Sequence, residues 1–349
     1  MMVEFLTLIV QRLRAVFMWL LKQTRLLFAS LAHALSFLRK ESYVRERWDG
    51  KVPFADARRV AVFVHYDRKG VVHDFARHYL RQLADSGFAI IFVSNAPTLG
   101  ASEVAWLQRH CALILRRANI GYDFGAYKEG IAAIPDLAAL DTLLLANDSV
   151  YGPLHHIAGV LERMEPETAD VWGASDCWEF SFHLQSYFLV FHKPALQSPA
   201  FAGFWNKLRY VQSKTWIIMK YEVGLTRAMR QAGLRCRAAF PYRDAAAALI
   251  EAVVERDILS EGIDPVRKNF IQQVFRTINA GRPLNSTHFF WDYMIAQMDF
   301  PFLKRELLQK NPARIPLLTY WERVVKRSTD YDTDLILRHL ELSLKNRSV

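Results

Sequence analysis

Between residues 58 and 145, four short apolar runs alternate with segments of helical period, and this alternation restricts the chain to an open α/β sheet. Val60–His65 (VAVFVH) is β-branched and aromatic, as a buried strand requires. Residues 71–86 follow at helical period, with Phe75, Tyr79, Leu80 and Leu83 on one side and Gly87 as the stop. Phe88–Val93 (FAIIFV), Ala112–Leu115 and Thr142–Leu145 supply three more strands, with helices expected over 102–109 and 125–134. Strand, helix, strand at this spacing predicts a mainly parallel sheet with right-handed crossovers. Ligands of such sheets bind beyond the carboxyl ends of the strands. Each run here ends in polar residues: His65-Tyr66-Asp67, Ser94-Asn95, Arg116-Arg117-Ala118-Asn119 and Asn147-Asp148-Ser149.

Several chemistries lose their support at once. No GxGxxG follows the first strand, where Asp67-Arg68-Lys69-Gly70 stands instead, and no GxxxxGK[ST] occurs anywhere. Asp67 has Lys69 where an aspartyl phosphatase carries its second Asp. The three cysteines, Cys111, Cys177 and Cys236, are far apart and match no zinc spacing, which argues for a reducing compartment. The 45 Lys and Arg against 35 Asp and Glu leave a formal +10. That excess suits an anionic membrane or a diphosphate ligand; with no basic block and no nucleic-acid-binding signature, nucleic acid is not expected as a partner.

Residues 1–40 contain neither Gly nor Pro, and their longest uncharged stretch, Leu26 to Leu38, is too short to span a bilayer, which takes about 20 apolar residues. At helical periodicity the polar residues gather on one arc. The rest is a wide apolar face with Phe5, Leu8, Phe17, Leu20, Leu27, Phe28, Leu31 and Leu35. A basic-bordered apolar face predicts an amphipathic helix over 1–42 lying on an anionic membrane surface. Packing on the rest of the protein is the competing reading.

Two stretches carry the most specific signal: Arg117-Ala118-Asn119-Ile120-Gly121-Tyr122-Asp123-Phe124-Gly125-Ala126-Tyr127-Lys128 and Leu145-Ala146-Asn147-Asp148-Ser149-Val150-Tyr151-Gly152-Pro153. With Trp172–Asp176, His183–Phe188, Pro301–Glu306 and Asn311-Pro312, they make residues 55–315 resemble the rhamnan synthesis protein F family, glycosyltransferase-like proteins of cell-wall and lipopolysaccharide rhamnan assembly. A more distant likeness is to inverting family 2 glycosyltransferases of the GT-A fold. There an Asn-x-Gly loop leads into a helix, and a later strand ends in an Asp-x-Asp that holds a divalent cation. Asn119-Ile120-Gly121 and Asn147-Asp148 occupy those places, but Ala146 replaces one carboxylate.

The resemblance implies roles. Asp148 would be the metal ligand for Mg²⁺ or Mn²⁺, with substrate phosphates and waters completing the shell. Donor contacts would come from Arg117, Asn119, Gly121, Asp123, Lys128, Asn147 and Ser149, and by strand-end position from His65, Tyr66, Ser94 and Asn95. Glu222 occupies the place of the family 2 Glu-Asp and is the first choice for general base, with Asp176 second.

The expected organisation is an amphipathic helix over 1–42, a GT-A-like domain over 55–245 and a helical appendage over 246–349. The implied activity is transfer of a sugar, L-rhamnose by resemblance, from a nucleoside diphosphate sugar donor to a lipid-linked glycan acceptor. It would run with inversion, on the cytoplasmic, inner face of the cell membrane. Ala146 keeps open a second reading, a catalytically silent assembly scaffold or nucleotide-sugar-binding protein that retains the fold.

Overall fold

A computed structural model describes residues 16, 17, 20, 21, 23–31, 33–35, 42–255, 265–316 and 318–344. Most of the expected 1–42 helix lies outside them; those described between 16 and 34 are helical.

The strands are β1 (Val44–Asp49), β2 (Arg59–His65), β3 (Ala89–Ser94), β4 (Leu113–Arg117), β5 (Thr142–Asn147), β6 (Val150–Tyr151), β7 (Val171–Cys177), β8 (His183–Leu184), β9 (Phe188–His192), β10 (Cys236–Phe240) and β11 (Leu303–Lys304). Nine form one sheet in the order β1-β4-β3-β2-β5-β9-β7-β10, with β8 beside β7. The four strands expected from the sequence are its parallel centre, β4-β3-β2-β5. The antiparallel strand β9 then turns β7 and β10 back into the same sense, so the sheet is mainly parallel as expected. The antiparallel edge strand β1 and the β9-β7-β10 half carry no clean run-and-helix alternation, and sequence periodicity alone does not place them.

Side chains of the central strands alternate between two apolar cores, as a period of two demands. Phe63, Phe92, Ile114 and Leu144 face the helices Asp74–Asp85 and Ala101–His110, whereas Val62, Val64, Val93 and Leu145 face the helix Tyr122–Ala132. That last helix packs closely because Gly130 has no side chain: a Cβ there would lie 2.3 Å from Val62 Cγ1. The first core extends through Phe300, Phe302, Leu303 and Leu340, so the C-terminal helices share the interior of the sheet domain.

Candidate functional site

Two recesses open near the carboxyl ends of the parallel strands. The smaller, about 380 Å³, is bordered by Tyr66, Asn95, Arg117 and Asn119. The larger, about 590 Å³, is lined by residues including Asp123, Ser186, Lys214, Glu222, His288, Lys304 and Glu306. Asp148 follows β5 and is tied to the lining of each. Its Oδ2 accepts the Tyr66 N–H at 3.2 Å, and its charge acts on Asp123.

The turn into the helix Tyr122–Ala132 sets this geometry. Gly121 takes the left-handed conformation (φ 85°), and the helix begins one residue later, so Asp123 lies in its first turn. Asn147 donates from Nδ2 to Asp123 Oδ2 at 3.0 Å, and its Oδ1 accepts from Ser149 N and Oγ. Burial first, then the neighbouring Asp148 and Glu222, push the Asp123 carboxyl up to about 7. Asp123 thus brings a second carboxyl, from another element, within electrostatic range of Asp148.

Glu222 closes a short π-helical turn, Ile217–Glu222, and faces the large recess. Its Oε1 accepts both Ser186 N and Ser186 Oγ at 2.8 Å, which fixes the carboxylate without neutralising it. That arrangement suits a base for an acceptor hydroxyl.

Other expected contacts are spent on the fold. His65 is buried between Ser94 Oγ (3.1 Å) and Val71 O (3.0 Å), and burial lowers its pKa. Ser94 Oγ also accepts from Ala96 N. Arg117 has no exposed surface: it donates to Asn95 Oδ1 at 2.7 Å and Ile120 O at 2.8 Å, with Glu129 at 3.9 Å. Lys128 donates to Leu208 O at 2.8 Å. Gly121 N–H is taken by Gln212 Oε1, and Asn119 O accepts from the same side chain. Asp176 does not line the recess. Its oxygens accept from Tyr242 N (2.6 Å) and Trp178 Nε1 (3.0 Å), and burial raises its pKa. These two cations and this carboxylate therefore sit where they stabilise loops, and their hydrogen bonds go to protein groups.

The residues that reading assigned no role come from the C-terminal region. Pairing of β11 with β6, Lys304 opposite Val150, carries Lys304 and Arg305 onto the acidic cluster. Lys304 Nζ lies 3.6 Å from the Tyr187 ring centroid, and burial brings its pKa down to about 8 against the pull of Glu222, Glu306 and Asp123. Arg305 Nη1 is 3.1 Å from Asp148 Oδ2 and also meets Asp148 O. His288, 3.4 Å away, and Lys214 hold the Glu306 carboxyl down at about 2. A divalent cation on Asp148 fits these side chains poorly. The carboxylate already has a guanidinium partner, and among the described residues no three His, Cys, Asp or Glu gather as a metal site.

Residues 90–256 match the family model described as Rhamnan synthesis protein F. The resemblance carried by Asn119–Asp123 and Asn147–Ser149 is thereby borne out. The matched segment also contains Glu222, while Lys304 and Arg305 lie beyond it. The chain is 26% identical over 286 residues to the virulence protein VirA of Vibrio anguillarum, covering 80% of this chain and 88% of that one. It is 28% identical over 179 residues to the uncharacterized protein y4gN of Sinorhizobium fredii, covering 50% and 46%. Among solved structures it is similar to the glycosyltransferase GlyE of Streptococcus pneumoniae (TM-score 0.38, 10% identity, 81% of this chain and 63% of that one). It is also similar to the mannosyltransferase PcManGT of Pyrobaculum calidifontis in complex with GDP-Man and Mn²⁺ (TM-score 0.33, 8% identity, 72% and 78%). Superpositions at these scores carry no argument about this chain's chemistry.

Proposed function

We propose that this chain is a glycosyltransferase that moves a sugar, L-rhamnose on the family likeness, from a nucleoside diphosphate donor to a lipid-linked cell-surface glycan precursor. The observation that carries the reading is Asp148 at the end of β5, bonded to Tyr66 of the smaller recess and acting on Asp123 of the larger one. A nucleoside in the smaller one, against the half-exposed Tyr66 ring, would place its diphosphate near Asp148 and its sugar in the larger one, beside Glu222. There Glu222 takes the proton of an acceptor hydroxyl, the freed oxygen bonds to the anomeric carbon, and the bond from that carbon to the diphosphate oxygen breaks. Attack from the face opposite the leaving group inverts the anomeric centre. Stabilising the departing diphosphate falls to positive charge at the site.

The first forty residues support a membrane-surface location. Val16, Phe17, Leu20, Leu27, Phe28, Leu31 and Leu35 are each more than half exposed, an apolar face suited to the headgroup region. Among the described residues, no helix is long and apolar enough to cross a membrane. We place the chain on the inner face of the cell membrane, with the unit spanning 55–245 as the donor-binding domain and the C-terminal helices as its cover.

The test is a thermal-shift and product-release screen of the purified chain against nucleoside diphosphate sugars. One donor is expected to raise the melting temperature and to release its nucleoside diphosphate slowly by hydrolysis. Folded protein that binds no nucleotide would replace the enzyme by the silent scaffold.

A further inference from the structure

The acidic floor of the site poses an electrostatic problem. Asp123, Glu222 and Glu306 line the larger recess and Asp148 acts on Asp123, so the proposed donor pose takes its diphosphate along an acidic path. A diphosphate laid along that path needs cationic charge facing it, or it is repelled. Two of the cations that the fold brings there arrive together, Lys304 at the end of β11 and Arg305 at the start of the helix that follows; Lys214, from another element, is paired with Glu306 at 3.5 Å. β11 is only two residues long, and its antiparallel pairing with β6 fixes it directly after the Asn147-Asp148-Ser149 turn. Arg305 N donates to Ser149 O at 3.0 Å, so the backbone register itself sets where both side chains point.

The two side chains divide the work. Arg305 sits against Asp148, with Nη1 3.1 Å from its Oδ2, and offsets that charge. Among the described residues its Nε has no hydrogen-bond partner. Lys304 lines the larger recess itself, flanked by Glu222, Glu306 and Asp123, with the Tyr187 ring beneath its ammonium. Lys304 is half-buried in this recess, and an ammonium partly shielded from water interacts with an oxyanion more strongly than a fully solvated one. By contrast Arg117 and Lys128 are committed to protein acceptors.

Building on the glycosyltransferase reading, we propose that Lys304 supplies the positive charge against the donor diphosphate while Arg305 offsets Asp148, so that this chain binds a nucleoside diphosphate without a divalent cation. The C-terminal region is then part of the donor site, contributing by its β11–β6 pairing the charge that an Asp-x-Asp protein obtains from a metal.

The experiment is calorimetric titration of the full chain with UDP, GDP and dTDP, each in EDTA and in excess Mn²⁺, for wild type, Lys304→Gln and Lys304→Arg. One nucleotide is expected to bind in EDTA with an affinity that Mn²⁺ changes little. Lys304→Gln weakens it by more than about tenfold, the loss of one charge-assisted contact, and Lys304→Arg restores most of it. Binding that appears only with Mn²⁺, or that is indifferent to Lys304→Gln, overturns the proposal and leaves the glycosyltransferase reading standing. Absence of binding by folded wild type under every condition overturns both. The EDTA comparison needs no variant, so it decides the matter even where a substitution disturbs folding.

Discussion

Arg305 Nη1 lies 3.1 Å from Asp148 Oδ2, a contact between residues 157 positions apart that fastens the C-terminal region to the carboxyl end of the central sheet. The same guanidinium stands over the Phe75 ring at 5.1 Å, and Tyr151 next door donates to or accepts from His339 Nδ1 at 2.8 Å. Helices late in the chain therefore reach the turn on which the proposed chemistry depends.

Replacing Glu222 by Gln keeps an oxygen to accept from Ser186 and removes only the basicity. The expected outcome is a fall of roughly 10²–10⁴ in kcat with little change in KM for the donor, measured as nucleoside diphosphate release in the presence of acceptor. A variant with wild-type kcat would remove Glu222 from the role of base.

Asp123 links the site to stability. Its folded pKa, about 7, stands above its ordinary value of 3.8, so the native state holds this proton more tightly than the unfolded chain. The contribution is fully present below about pH 4 and is lost as pH rises through about 7. Asp123→Asn, which cannot ionise, should melt higher than wild type at pH 8. The difference should shrink steadily toward pH 4, as read from melting temperatures across that range. A difference independent of pH would show that the carboxyl is not held protonated.

Arg117 is a different case, because its partners are all protein groups. Arg117→Met leaves Glu129 buried without its guanidinium and strips Asn95 Oδ1 and Ile120 O of their donor. A loss of about 3–5 kcal/mol is expected in urea unfolding, the cost of breaking a buried pair by removing one member. Loss of donor affinity at unchanged stability would instead make Arg117 a ligand contact.

Local chemistry wrote the centre of this fold. Runs such as Val60–Val64 and Ile90–Val93 are apolar on both faces, and only a sheet covered by helices on both sides buries them, so strand, helix and carboxyl-end turns were all legible. Asn147 and Asp148 stood out as polar side chains at the end of a buried run, whereas Asp123 and Glu222 were named by the family likeness. What each cation would do was not legible. Arg117 and Lys304 have the same kind of sequence signal, a basic residue beside an apolar run. Yet the guanidinium of one is spent on Asn95, Ile120 and Glu129, while the ammonium of the other lines the larger recess. That difference comes from long-range register, β1 and Glu129 closing over Arg117 while β11 docks on β6, and a charge acquires its role only from the partners such pairing brings within a few ångströms.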